Sequence, residues 1–255
     1  MITSSTNGQI KQIVKLQKSA KARREQGVFV AEGLRLFKEI PKEQIEMAYV
    51  TEEFFKKNTS LLDGISYEIV ADHVLREASD TKTPQGVLAV VKMVKYTFDD
   101  MKKEKPLCFI VLENLQDPGN LGTIIRTSEG AGISGILMSE DTVDIYNPKV
   151  VRSTMGSIFR VPFMILPMKE IFSLLEREYV ITYGAHLNGT DFYMEDYKES
   201  CAFFIGNEGN GLTEETMMNM KKAIKIPMYG QVESLNAAIA GTVLMYEAMR
   251  QRRQQ

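Results

Sequence analysis

The sequence predicts an α/β protein whose C-terminal part is a mostly parallel sheet, preceded by a smaller α/β unit. Short apolar runs alternate with helical stretches along nearly the whole chain. In the second half the strand candidates are apolar at consecutive positions ("LCFIVLEN", "CAFFIG") and not at alternate ones. Strands buried on both faces belong to parallel sheets covered by helices on either side. A third observation bears on function: three strand-to-helix connections hold more Gly, Asn, Ser and Glu than a bare turn needs.

Taken in order, a basic helix opening near Asn7 precedes the strand "VFVAEG", the helix "LRLFKEI" and the strand "MAYVT". "EEFFKKNTSLL" reads as a helix, "SYEIV" as a strand and "DHVLREAS" as a helix. "GVLAVVKMV" reads as a strand after the turn-like "TKTPQ". These elements make a first domain over residues 1–95. The stretch "KYTFDDMKKEKP" is charged, poorly periodic and closed by Pro106, so residues 96–106 read as a linker.

Alternation resumes over residues 107–255, the second domain. "LCFIVLEN" and "GILMS" read as strands either side of a helix across "NLGTIIRTSEGAG", and "NPKVVRSTMGSIF" reads as helical. "VPFMIL", "YVITYGA", "CAFFIG" and "IKIPM" are further strands, with helices at "MKEIFSLLERE" and "LTEETMMNMKKA". A long helix from about Glu233 to Arg250 closes the pattern.

Composition narrows the classes. With 44% apolar and 25% charged residues, the chain is an ordinary globular sequence. No apolar run is long enough to cross a bilayer, and "MITSSTNGQIKQIVKLQ" lacks a signal-peptide core, so the expectation is a cytoplasmic protein without a membrane partner. Cys108 and Cys201 lie in apolar strands and read as buried free thiols of a reducing compartment. His73 and His186 stand far apart without ligand spacing, so no metal is expected.

The net charge is −2, but its distribution is uneven. Before Glu25 every charged side chain is basic: Lys11, Lys15, Lys18, Lys21, Arg23 and Arg24. Lys11, Lys15 and Lys18 share one helix face. Such a face is either simply solvated or contacts nucleic-acid phosphates; Lys11, Lys15, Lys18, Arg23 and Arg24 are the candidate RNA-binding residues.

In open α/β sheets, ligands bind beyond the carboxyl ends of the strands. Three loops there stand out: "ENLQDPGNLGTIIR", "GNEGNGL" and "IPMYGQVESLN". In the first, Asp117 or Asn120 could simply cap the helix, and Arg126 could be a surface ion-pair partner. In the second, three glycines surround Glu208, which lets backbone N–H groups approach a ligand. In the third, Ser234 or Asn236 could cap the last helix, whose Gly241 calls for close packing against another element or subunit. The sequence shows no Cys–His or Ser–His pair and no Walker loop. One Arg, one Glu, a Ser and two Asn on glycine-rich loops suit group transfer from a cofactor held by backbone groups.

These loops resemble the three motifs of the SpoU (TrmH) branch of the SPOUT superfamily, the RNA 2′-O-ribose methyltransferases. The matching text is "NLQDPGNLGTIIRTSEGAGI", "FFIGNEGNGLTEE" and "IKIPMYGQVESLNAAIAG", in the family's order and spacing over roughly residues 107–250. "FVAEGLRLFKE" and "TPQGVLAVV" more loosely resemble the small ribosomal-protein-like substrate-binding domain of many members. The resemblance implies a deep trefoil knot in the C-terminal domain, S-adenosyl-L-methionine as cofactor, structured RNA (rRNA or tRNA) as substrate and a homodimer formed through the C-terminal domain. It implies catalytic roles for Asn120, Arg126, Glu208, Ser234 and Asn236, and cofactor contacts for Gly206, Asn207, Ile226, Met228 and Leu235. Arg126 would act on the ribose 2′-hydroxyl as a base or, because arginine so firmly keeps its proton, by stabilising a developing alkoxide. Rival readings are a base methyltransferase on structured RNA and a non-catalytic RNA-binding module. A nicotinamide-binding dehydrogenase is disfavoured by the missing G-x-G-x-x-G.

Overall fold

A computed structural model describes residues 1–253, which divide into two compact units. The first holds residues 1–94 and 144–159, and the second holds the other described residues, from 95 to 143 and from 160 on.

The first unit begins with α1 (Gly8–Lys18), whose Asn7 side chain accepts a hydrogen bond from the Gln9 N–H at 2.8 Å. Ile10, Ile13 and Leu16 form its buried stripe, leaving Lys11, Lys15 and Lys18 exposed. Ser19 is extended, ends α1 and caps α2 (Ala20–Gln26), and Gly27 ends α2 in the left-handed region at φ 67°. There follow β1 (Val28–Glu32), α3 (Leu34–Glu39), β2 (Ile45–Val50), α4 (Glu52–Asn58), β3 (Tyr67–Ile69), α5 (Asp72–Ala78) and β4 (Val87–Lys92). The strands form a sheet ordered β1-β4-β2-β3, antiparallel except for β2–β3. Its core joins Ile10, Ile13 and Leu16 to Val28, Val30, Leu88 and Val90.

In the second unit, β5 (Cys108–Leu112) leads to α6 (Pro118–Gly130) and β6 (Gly135–Met138). The chain then supplies α7 (Pro148–Ser153) to the first unit before returning through β7 (Phe163–Ile165) and α8 (Met168–Arg177). β8 (Ile181–Asp191), β9 (Cys201–Ile205), α9 (Glu214–Met218), β10 (Lys222–Lys225) and α10 (Ala237–Arg253) complete it. The six strands are parallel, in the order β10-β8-β9-β5-β6-β7. Both faces are covered, as the continuous apolar runs require. Phe109, Val111, Ala202 and Phe204 pack with Ile171 and Leu175 of α8. On the other face, a β-carbon at Gly241 of α10 would stand 3.6 Å from Ile110, 3.7 Å from Ile205 and 4.0 Å from Ile124 of α6. Gly241 thus fits ordinary contact inside its own chain. Cys108 and Cys201 pair in register on β5 and β9; both are free and buried, their sulfurs 3.7 Å apart.

Two boundaries differ from the sequence expectation. Residues 96–106 are not a bare linker, because their apolar side chains anchor them to the second unit. Tyr96 packs edge-on against Phe163, Phe98 stacks on Phe109 at 5.5 Å, and Met101 is buried in the core. The segment 144–159 lies inside the expected second domain yet folds into the first unit. Phe29 packs on Tyr146 at 4.6 Å and on Phe159 at 6.2 Å, and Val150 and Val151 are buried.

Arg23 requires a correction as a candidate RNA contact. It is 3% exposed, and its guanidinium donates to the carbonyls of Leu16 (2.6 Å) and Gln17 (3.0 Å) and pairs with Asp144. A guanidinium so committed holds α1, α2 and the 144–159 segment together and does not reach a phosphate. Arg24 is exposed.

Candidate active site

The carboxyl ends of β9 and β5 bring the first two loops together. Glu208 reaches from the β9 loop to the β5 loop, where its carboxylate accepts hydrogen bonds from the Gln116 N–H (3.0 Å), the Asp117 N–H (2.9 Å) and the Asn120 side-chain amide (3.0 Å). Desolvation raises the Glu208 pKa, but the Asn120 amide and the two backbone donors outweigh it and hold the carboxyl below its ordinary value. Asn120 in turn accepts from the Asn236 amide at 2.9 Å, which ties in the third loop. One polar chain, Glu208–Asn120–Asn236, therefore links all three loops. Asp117 caps α6 by accepting from the Asn120 N–H, and Asn236 caps α10 by accepting from Ala238 N–H at 2.9 Å.

The β9 loop is closed on itself. Asn207 and Gly211 exchange backbone hydrogen bonds of 3.0 and 2.9 Å, and the Asn207 side-chain carbonyl accepts from the N–H groups of Gly209 and Asn210. Gly206 lies so close beneath Gly211 and Leu212 that no β-carbon fits there.

Between this loop and residues 224–237 lies a cavity of about 370 Å³. That volume is in the range of small-molecule sites, roughly 300–1,000 Å³. Gly206, Asn207, Ile226, Met228 and Leu235 all line it, as do Glu208 and Ser234. Its walls combine the backbone of the glycine-containing loop and aliphatic side chains such as Ile205, Ile226, Leu235 and Leu244 with the polar residues Asn207, Glu208, Lys225 and Glu233, which suits a ligand with both an apolar and a polar part. α10 begins at Ala237 and not near Glu233, because the preceding residues stay unwound and furnish this wall. Among the described residues no group of His, Cys, Asp or Glu is disposed to hold a metal ion.

Residues 108–246 match the family model described as the SpoU rRNA Methylase family, and residues 7–89 match an MRM3-like substrate binding domain. The chain belongs to the SpoU family. This SpoU chain is 31% identical to the 23S rRNA (guanosine(2553)-2'-O)-methyltransferase RlmP of Bacillus subtilis, over 96% of its own length and 97% of the relative's. It is 31% identical to a 23S rRNA (uridine(2479)-2'-O)-methyltransferase of Streptomyces viridochromogenes, over 78% and 73% of the two chains. The crystal structure of the SpoU methyltransferase AviRb from the same organism, in complex with AdoMet, superposes with a TM-score of 0.90 at 28% identity, covering 97% of this chain and 98% of that one. An AdoMet-bound rRNA methyltransferase of Sinorhizobium meliloti gives a TM-score of 0.88 at 30% identity, covering 98% and 97%.

Of the expected site residues of this SpoU chain, Arg126 remains. Arg126 is exposed on α6 and, among the described residues, makes no hydrogen bond or ion pair. Its neighbour Thr127 meets Thr242 of α10 at 3.4 Å, so Arg126 stands beside the α6–α10 seam. Two groups escaped the sequence reading. One is the cavity wall from β8, Ala185 to Leu187, because the strand runs on past "YVITYGA" to pair with β10. The other is Glu113, which is 4% exposed and bonded to Thr213 and Thr216. Its only signal was a carboxylate set directly after a wholly apolar strand.

Proposed function

We infer that this chain transfers a methyl group from S-adenosylmethionine to a ribose 2′-OH of RNA. The observation that carries the reading is the cavity between the Gly206–Leu212 loop and residues 224–237, with the β5 loop tied to both through Glu208, Asn120 and Asn236, in a SpoU chain whose relatives are named 23S rRNA 2'-O-methyltransferases. S-adenosylmethionine supplies an electrophilic methyl group on a sulfonium. Gly206, Asn207, Ile226, Met228 and Leu235 hold it in this reading, by backbone groups and an apolar wall; their place around the cavity supports this.

The nucleophile is the ribose 2′ oxygen, and its proton leaves to water. Arg126 faces that oxygen and stabilises the negative charge that develops on it; a guanidinium without a protein partner among the described residues supports the role. Glu208, Asn120 and Asn236 fix the loops, because their polar groups are spent on one another. Ser234 takes part from its place in the cavity lining.

The same reading includes the deep trefoil knot of the family, rRNA or tRNA as the substrate and a cytoplasmic location. It takes Lys11, Lys15, Lys18 and Arg24 as the phosphate-binding face, supported by their exposure within the residues that match a substrate-binding domain. It includes a homodimer through the C-terminal unit, supported by Ile239 and Tyr246 of α10, which are 48% and 42% exposed.

Arg126→Ala tests the site. Methyl transfer is expected to be lost while S-adenosylmethionine binding stays within about threefold, since the residue lies outside the cofactor wall. Full activity overturns the Arg126 assignment, and methylation of an RNA already blocked at its 2′-O overturns the ribose reading.

A further inference from the structure

We propose that Glu113 is a positioning residue for methyl transfer: together with Asn114 it grips both ends of the Gly206–Leu212 loop and so sets the shape of the cavity. The proposal rests on reading that cavity as the S-adenosylmethionine site.

Glu113 follows β5 directly, and its N–H donates to the Ile205 carbonyl at 2.9 Å, continuing the β5–β9 ladder. Its side chain is 4% exposed. A carboxylate that deep is costly unless each oxygen is satisfied. Here one oxygen accepts from the Thr213 N–H at 2.8 Å, and the other from the hydroxyls of Thr213 (2.8 Å) and Thr216 (2.6 Å). No cation pairs with it among the described residues. The carboxylate is thus held wholly by donors at the exit of the loop.

The entry is held by the next residue. Asn114 has φ 55°, which turns its carbonyl to accept the Asn207 side-chain amide at 3.0 Å. Ser139 fixes Asn114 from behind, donating to its side-chain oxygen at 3.0 Å. Two consecutive residues at the end of one strand therefore fasten the two ends of the loop.

Between those anchors the loop is rigid, closed by the reciprocal Asn207–Gly211 bonds and by Gly206 pressed beneath Gly211. Such a loop moves only where an anchor lets go. Because Gly211 and Leu212 line the cavity, release at Thr213 frees that part of the wall, while Glu208 still holds the middle of the loop to the β5 loop. Glu113 touches no cavity surface and acts through that loop alone.

The test compares Glu113→Ala, Glu113→Gln and Thr216→Val by S-adenosylmethionine titration, steady-state kinetics and thermal unfolding. Glu113→Ala is expected to weaken cofactor binding roughly 10- to 100-fold, from the loss of up to three hydrogen bonds, and to raise KM for the cofactor in parallel. Its kcat at saturating cofactor stays within about threefold, because Arg126 is untouched. Glu113→Gln rescues binding to within about threefold of wild type. Its amide oxygen accepts from the Thr213 N–H, and its amide N–H₂ faces two hydroxyls that can turn to accept. Thr216→Val removes one bond at nearly constant volume and serves if the alanine variant does not fold; about a three- to tenfold loss is expected. Wild-type affinity in both Glu113→Ala and Thr216→Val, whatever their melting temperatures, overturns the proposal. A wild-type protein that binds no S-adenosylmethionine overturns the underlying reading of the cavity instead.

Discussion

Gly206→Ala perturbs the cavity most sharply. A β-carbon there would stand 2.0 Å from the Gly211 carbonyl carbon, 2.2 Å from its oxygen and 2.3 Å from the Leu212 nitrogen. Carbon atoms in ordinary contact sit about 3.5–4.0 Å apart. The obstructing atoms are backbone, and they are locked to Asn207 by bonds of 3.0 and 2.9 Å, so the loop admits a methyl group only by opening. Losing two such bonds costs roughly 1–3 kcal/mol. Overpacking adds roughly 1–3 kcal/mol, part of which is relieved as the loop moves outward. A net ~2–4 kcal/mol lost from cofactor binding corresponds to roughly 30- to 1,000-fold weaker affinity. Isothermal titration with S-adenosylmethionine measures it, with circular dichroism to verify folding. Gly209→Ala is the control on the same loop, since its β-carbon meets only the Asn207 side-chain oxygen at 3.5 Å. Gly206→Ala binding within about threefold of wild type, or equal losses in the two variants, would refute the reasoning.

Three further outcomes follow from the same geometry. Glu208 has a folded pKa below its ordinary value of 4.5, so its lock on the β5 loop is complete above that value and is lost as pH falls through the folded pKa. Cofactor affinity should therefore hold from neutral pH down to about pH 5 and fall below it, and the fall should be smaller in Glu208→Gln; identical profiles contradict the lock. Arg23→Ala should lower stability, measured by denaturant unfolding, by about 3 kcal/mol, at the low end for a broken buried pair because the Asp144 side chain keeps 20% exposure. Replacing Lys11, Lys15 and Lys18 by Gln should leave the melting temperature unchanged and weaken RNA binding. The slope of log affinity against log salt should become shallower by about 0.7–0.9 for each phosphate that is no longer neutralised.

Some of this site was legible in the chain and some was not, for reasons seen in particular residues. Asn120, Glu208 and Asn236 could be named because each sits on a loop too rich in Gly, Asn and Glu for a plain connection. That the three form one hydrogen-bonded chain could not be read, since they are brought together by strands distant in sequence. Arg23 and Arg24 are neighbours of the same type in one basic run, yet one is buried and the other exposed. Helix periodicity alone does not reveal that Asp144 waits on the other side. The 96–106 stretch looked like a linker because charge dominates it, while Tyr96, Phe98 and Met101 find aromatic and core partners that only folding supplies.

The sequence by itself determined the class of fold, since consecutive apolar positions in β5 and β9 can be buried only when helices cover both faces of a parallel sheet. It also determined the family, through three motifs whose residues stand in fixed order. Tertiary structure decided which groups are spent and which remain free. Glu113 lies under the cavity wall, Arg23 is locked in a core, and Arg126 stands without a protein partner among the described residues. Those outcomes depend on donors and acceptors contributed from up to 121 residues away, as with Arg23 and Asp144. Local periodicity carries no record of such partners; around the cavity, the sheet order β8-β9-β5 creates them.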